Sequence, residues 1–312
     1  MGTTLSSAQA PVGKIVRLDP ALDALIPQNA QLQKVRGGFR FIEGPLWVKS
    51  GNYLLFSDLM QNCIFKWTQG GLEGNVEVYR KNVYTGTYPD AVMIGTNGLA
   101  LDPQGRIVAA EHGNRRISRM EKDGTVTTVV DRYEGKRLNS PNDVVVKKNG
   151  DIYFTDPIGL LRTYPENYAD KPVMELGYNG LFRVTTAGKV ELLDKNIQYP
   201  NGLAFSPDEK KLYVASSRPD KYWMVYDVNK DGSLSNGHKF FDGTKEKGDE
   251  VPDGMKVDRK GNIYAAGLTG VIVFNPEGKR LGVIEGPEII ANLNFGDADG
   301  RTLYMTARTG LY

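Results

Sequence analysis

The chain has one cysteine and two histidines in 312 residues: Cys63, His112 and His238. A single cysteine excludes an internal disulfide, and so few nitrogen and sulfur donors exclude a tetrahedral zinc site. Charge of one sign is also missing: 39 Lys and Arg face 37 Asp and Glu, a balance of +2 with no basic tract. Nucleic acid and anionic membrane surfaces are therefore not expected partners. No apolar run approaches the roughly 18 residues of a spanning helix. Neither a nucleophile elbow, a P-loop, a dinucleotide fingerprint nor His-Glu-x-x-His is present. Residues 1–10 lack an apolar stretch of signal-peptide length, yet Ala8-Gln9-Ala10 has the form of a cleavage-site end. The compartment, periplasmic or secreted versus cytoplasmic, stays open on that reading.

Glycine and proline are plentiful instead, 36 and 16, as in a fold of many turns and few helices. Ser140 to Pro157 shows the pattern that recurs. Two β-branched or aromatic runs, Val144–Val146 and Ile152–Thr155, flank Lys148-Asn-Gly-Asp. That is a hairpin signal, with Asn-Gly supplying positive φ at the turn. Asn142-Asp143 opens the first strand and Asp156 closes the second, so Asn142 and Asp156 are expected to meet at the open end. Matching stretches begin at Glu43, Asn97, Asn201, Asp253 and Ala291, giving six copies spaced by 54, 45, 59, 52 and 38 residues. Periods of roughly 40–50 residues with four short strands each are those of β-propeller blades.

The expected fold is all-β: one six-bladed β-propeller over residues 1–312, with four antiparallel strands per blade. Residues 1–30 form an N-terminal extension with a short helix at Asp19-Pro20, where Asp caps and Pro takes the first position. The sixth copy ends at Tyr312, barely into a third strand. Strands ahead of Glu43, Leu32–Val35 among them, are expected to complete that blade and close the ring. Trp47, Trp67 and Trp223 are expected to pack between blades, and Arg115 and Arg116 to bridge them. Two long aromatic loops, Tyr84–Gly95 and Ile158–Asn179, are expected on the functional face.

The chemistry lies at the heads of the copies. Glu43, Asn97, Asn142, Asn201 and Asp253 each begin an innermost strand, which in a propeller lines the central channel. Asn and Asp before Gly are ordinary turn formers when taken singly. Glu43 is not a turn former, and acids occur at only two of six registered positions. Carboxylates and amide oxygens converging on an axis suit a hard divalent cation, calcium first, which takes 6–8 oxygen ligands. Strand-end residues Asp58, Glu111, His112 and Asp156 reach the same mouth, and Asp143 can turn inward beside Asn142. These carboxylates either orient ligands and water or simply cap strands. His112 is either structural or a substrate contact, as is Asn97.

Glu43-Gly-Pro-Leu-Trp, Glu111-His-Gly-Asn-Arg-Arg, Asn142-Asp, Tyr199-Pro-Asn-Gly-Leu-Ala-Phe-Ser and Pro252-Asp-Gly-Met together resemble the senescence marker protein/gluconolactonase family, which includes luciferin-regenerating enzymes. The resemblance runs from about Phe39 to the C-terminus. It implies a propeller with one catalytic divalent ion, usually calcium, that hydrolyses sugar lactones. Its ligands match Glu43, Asn201 and Asp253, with Asn142 a ligand or substrate contact. Animal members place an arginine two residues before Asn142, where this chain has Ser140, with Arg137 nearby. Phosphofluoridate hydrolases of the squid type resemble the same ring, but no histidine lies in residues 280–312 to match theirs. The expected reaction is ion-assisted lactone opening, with Asp253 as base, nucleophile or ligand. The alternatives are a phosphotriester hydrolase on the same ion and a non-catalytic propeller with a structural ion and its long loops as a contact surface.

Overall fold

A computed structural model describes residues 12–70 and 74–312; Ala8-Gln9-Ala10 lies outside them. Six antiparallel sheets follow one another along the chain as blades. Blade one holds strands Ile42–Val48, Tyr53–Asp58, Cys63–Thr68 and Asn75–Lys81. The innermost strands of blades two to six are Thr96–Leu101, Val144–Val146, Pro200–Phe205, Met255–Val257 and Ile290–Gly296. An added two-stranded hairpin, Arg132–Tyr133 with Lys136–Arg137, separates blades two and three. No helix among the described residues is long and apolar enough to cross a membrane.

The N-terminal segment closes the ring. Arg36–Gly37 pairs with Gly310–Leu311 as the outermost strand of blade six. The strand falls just after the Leu32–Val35 expected from sequence, although the Val35 amide still bonds the Leu311 carbonyl at 2.8 Å. A second strand, Lys14–Arg17, joins blade five along Arg280–Glu285, so that blade has five strands instead of four. The β-branched Ile15 and Val16 suit a strand, but only tertiary pairing selects them. Between these strands lies the 3-10 turn Pro20–Ala24, capped by Asp19, whose carboxylate accepts the Ala21 amide at 2.8 Å.

Burial is organised by wedges, one apolar cluster at each of the six blade interfaces. Strands with both faces against neighbouring blades read as continuous apolar runs, such as Ile263–Gly267 and Gly270–Phe274. Trp47 stacks on Tyr304 of blade six with centroids 5.5 Å apart, and Trp67 meets the same ring at 5.3 Å. Trp223 of blade four packs edgewise on Phe274 of blade five. A seventh cluster joins the two long loops: Val92 and Ile94 pack with Leu160, Leu161 and Tyr164. The second loop carries the short helix Gly159–Thr163.

The Asn149-Gly150 turn differs from the expected form. Only Gly150 takes positive φ (94°), while the Asn149 side chain accepts the Asp151 amide at 3.0 Å. The glycines after the heads are not turn residues either. A Cβ on Gly44 would lie 2.1 Å from the Asn97 carbonyl oxygen of the next blade, and one on Gly202 would lie 2.2 Å from the Asp253 oxygen. A Cβ on Gly98 would meet Asp143 Oδ1 at 2.4 Å, and one on Gly254 would meet Asn292 Cγ at 2.0 Å. Glycine is required there because adjacent blades touch backbone to backbone at the axis. Gly202 has no unusual φ, so Gly202→Ala tests space alone. It is expected to lower unfolding stability by about 1–3 kcal/mol in urea denaturation; a loss under about 0.5 kcal/mol, as at an ordinary surface site, would show the contact is soft.

Candidate active site

Each head is positioned by its neighbour. Gly98 donates its amide to the Asn142 carbonyl and Gly254 to that of Ala291, both at 2.8 Å. Ser57 Oγ bonds the Asn97 carbonyl at 2.8 Å and Thr155 Oγ1 bonds that of Asn201 at 2.7 Å. Ser217 Oγ donates to the Pro252 carbonyl at 2.6 Å and accepts from Asn201 Nδ2 at 2.9 Å. Small hydroxyls at the second-strand ends thus latch one blade to the next and hold the heads in a ring. The ladder breaks at the heads, with register shifts between Glu43 and Leu46, Thr96 and Leu99, and Pro200 and Leu203.

Glu43, Asn97, Asn142 and Asn201 are buried, and Asp253 alone among the heads keeps intermediate exposure. Burial raises the Glu43 carboxyl above its usual range, and the Asp143 charge raises it further. Hydrogen bonds from Gly44 and Asn292 and the Lys256 charge oppose that shift. Asp253 is raised well above its usual range by desolvation, then by Glu43 and Asp143, against Asn201 and Arg218. Three carboxylates therefore face one another at the axis.

Beneath them the channel is crossed by side chains the sequence reading did not select. The Asn292 side chain lies near both Glu43 and Asp143 and opposes the rise of each carboxyl. Its Oδ1 accepts the Leu293 amide at 2.8 Å and faces Lys256 Nζ at 3.4 Å. Asp143 makes the equivalent bond to Val144 at 2.9 Å. The sixth head is thus Asn292 rather than Ala291, in the position that Asp143 takes in blade three. The signal was present: that second position is Gly in four copies and polar in two. Gly98 and Gly254 are small to admit these two side chains.

The strand-end carboxylates divide. Asp58 accepts the backbone amides of Arg40 and Phe41 at 2.8 and 3.3 Å, and Asp156 those of Asn139 and Ser140, both at 2.8 Å. Each anchors the segment that leads into its own head. The Asn142 amide donates to the Thr155 carbonyl at 2.8 Å, so Asn142 and Asp156 are backbone neighbours, but the Asp156 carboxylate is taken up by the Asn139 and Ser140 amides. Burial raises Asp156 to about 7, against those two amides and the Arg115 charge. Glu111 instead binds Arg80 of blade one, Arg116, Ser118 and Asn114. Arg115 reaches the carbonyls of Leu138 and Val173, so it does bridge; Arg116 stays within its own blade. Arg137 donates to the Asn114 carbonyl.

His112 touches the ring. Its Nδ1 lies 3.2 Å from the Met93 carbonyl, which can only accept, so Nδ1 carries the proton. Nε2 then accepts from Asn97 Nδ2 at 3.3 Å and leaves Asn97 Oδ1 buried without a partner. Tyr199, also unselected from sequence, lines the mouth beside Arg162 and Arg218.

Among the described residues no three His, Cys, Asp or Glu side chains close on one point. The donor set mixes carboxylates with amides, and that mixture fits a hard cation. Asn97 Oδ1 and Asp143 Oδ2 are buried acceptors without hydrogen-bond donors. The three acids are faced by Lys256 in the channel and Arg218 at the rim. A divalent ion balances such a set.

Burial holds the His112 pKa down to about 4, against the Met93 contact. The ring is expected to stay neutral, as the Nδ1–H tautomer, from pH 8 to about 5 in heteronuclear NMR of the imidazole; protonation near the ordinary ~6.5 would place it in solvent.

The SMP-30/Gluconolactonase/LRE-like region model matches residues 41–309. A gluconolactonase of Zymomonas mobilis is 36% identical over 311 residues, covering 95% of this chain and 84% of that protein. The structure of a Xanthomonas campestris gluconolactonase is 32% identical, covers 99% of this chain and 97% of its own, and superposes with a TM-score of 0.82. A second structure, of a putative gluconolactonase, covers 96% of both chains at 31% identity and the same TM-score. With six blades in a ring, the heads of four named motifs at equivalent blade positions and a family match over residues 41–309, the chain belongs to the SMP-30/gluconolactonase/LRE-like family.

Proposed function

We propose that this protein is a lactone hydrolase that opens sugar lactones at the axial site with one hard divalent ion, calcium first. The observation that carries this reading is the pair of carboxylates, buried Glu43 and partly exposed Asp253, among the buried amides of Asn142 and Asn201. Similarity to gluconolactonases across nearly the whole chain supports the substrate class. Glu43, Asn142, Asn201 and Asp253 would hold the ion. When bound, it supplies a Lewis acid that polarises the lactone carbonyl and offsets charge developing on its oxygen.

The residues divide the remaining work. Asp253 is the general base: its exposure at the mouth gives access to water, and its backbone is held by the Asp253 amide on the Ala266 carbonyl at 3.0 Å. It removes a proton from the attacking water and returns it to the departing ring oxygen. Asn201 is fixed by Ser217 beside that carboxylate. Neutral His112 and the Asn97 amide it orients form the wall that meets sugar hydroxyls. Lys256 offsets the charge of Glu43 and Asp143, with Asn292 beside them.

Two outcomes separate base from ligand. Asp253→Asn is expected to lose ~10²–10⁴-fold of lactone turnover even when excess calcium restores occupancy, since an amide still offers an oxygen but no base. Asn201→Ala is expected to lose activity through weaker ion affinity and to regain much of it as calcium rises. Rates against calcium concentration for both variants decide it; equal rescue of the two would make Asp253 a ligand only. Chelation of the parent protein is expected to abolish turnover and calcium to restore it, and turnover that survives chelation counts against the ion.

A further inference from the structure

Tyr199 stands at the head of blade four, two residues before Asn201. Its ring is flanked by two guanidinium groups from different elements. Arg218 lies 5.4 Å from the ring centroid and Arg162 lies 5.8 Å from it. Arg162 comes from the short helix of the 158–179 loop, and Arg218 directly follows Ser217, which bonds Asn201. Both arginines are exposed and neither forms a direct salt bridge among the described residues, although Arg218 faces the Asp253 charge at longer range. The helix presses on the mouth itself. A Cβ on Gly159 would stand 3.3 Å from Tyr199 Oη, 3.7 Å from Ser140 Oγ and 3.8 Å from His112 Cε1. The arginine pair therefore sits over the wall made by His112, Ser140 and Tyr199, beside Asp253.

Two cations that share one aromatic ring repel each other, and exposed cation–π contacts are worth only ~0.5–1 kcal/mol. A neutral sugar lactone offers hydroxyls, which need no paired cations. A carboxylate or phosphate at the Tyr199 edge is drawn by both positive charges and suits their planar forks, a match that arginine makes better than lysine. We propose that Arg162 and Arg218 form an anion clamp at the rim, so that the preferred substrate is a sugar lactone bearing an acid group at the end remote from its ring ester. The inference rests on the lactonase reading and adds the substrate's charge to it. Tyr199 is the platform: its ring orients both arginines, and the sugar lies between the clamp and Asp253.

The test compares kcat/KM for three lactones: neutral glucono-1,5-lactone, glucaro-1,4-lactone with its carboxylate, and 6-phosphoglucono-1,5-lactone with its phosphate. At least one acidic lactone is expected to exceed the neutral one by about tenfold or more, and the better of the two identifies the acid group. Arg162→Met and Arg218→Met are each expected to reduce the acidic-to-neutral ratio about tenfold, in line with charged hydrogen bonds. Arg218→Lys, which keeps charge but not the fork, is expected to fall between. Added salt is expected to shrink the ratio as well. A parent enzyme with no acidic preference, or variants that slow all three lactones equally, would overturn the clamp. If no lactone is turned over, the lactonase reading falls by itself, and calorimetry decides the clamp. Glucarate or 6-phosphogluconate then binds the parent about tenfold tighter than either methionine variant, or the clamp is wrong.

Discussion

The close approach of neighbouring blades at the axis governs this structure. Four glycines, at 44, 98, 202 and 254, leave no room for even one carbon between one head and the next. At that contact the innermost strands of blades one, two, four and six break register with their neighbours. Amide and hydroxyl bonds between blades then fix their positions to within hydrogen-bond tolerances. The same contact that closes the ring therefore assembles the site.

Close packing at the axis also sets the electrostatics. Glu43, Asp143 and Asp253 come from blades one, three and five, and no local feature draws them together. Burial raises all three carboxyls, and like charge adds to the rise at Glu43 and Asp253, which is unfavourable for a protein without a compensating cation. Lys256 and Arg218 compensate in part. An imbalance of negative charge remains there, together with the orphaned oxygens of Asn97 and Asp143. Asn292 and Lys256 stand beside Glu43 and Asp143 and oppose the rise of both carboxyls.

The loops complete the pocket. Tyr84–Gly95 and Ile158–Asn179 are far apart in sequence, yet their apolar side chains form one cluster on the mouth face. That cluster holds the Met93 carbonyl against His112 and fixes the imidazole tautomer, which in turn decides which end of the Asn97 amide is free. It also carries Arg162 to Tyr199. The His112–Asn97 pair and Arg162 thus depend on loop packing, while the heads depend on blade packing.

Much was legible in the chain itself. The hairpin copies with their turn residues and alternating apolar runs specify blades, because strand and turn preferences act over a few residues. Their number specifies a six-fold ring, and Glu43, Asn97, Asn142, Asn201 and Asp253 stand at equivalent starts. Other features depended on contacts between distant segments, which periodicity does not encode. The pairing of Lys14–Arg17 with blade five is one, and the slip that makes Asn292 the sixth head is another. The strand-end carboxylates were a third: Asp58 and Asp156 look alike to Glu111 in sequence, but the first two bind backbone ahead of their heads and Glu111 binds arginines. The roles of Ser217, Lys256 and the Tyr199 arginines also came only from the fold. The sequence determined the repeating unit and the residue types at its heads; the closed ring decided which of their side chains meet, because that depends on the packing of blade against blade.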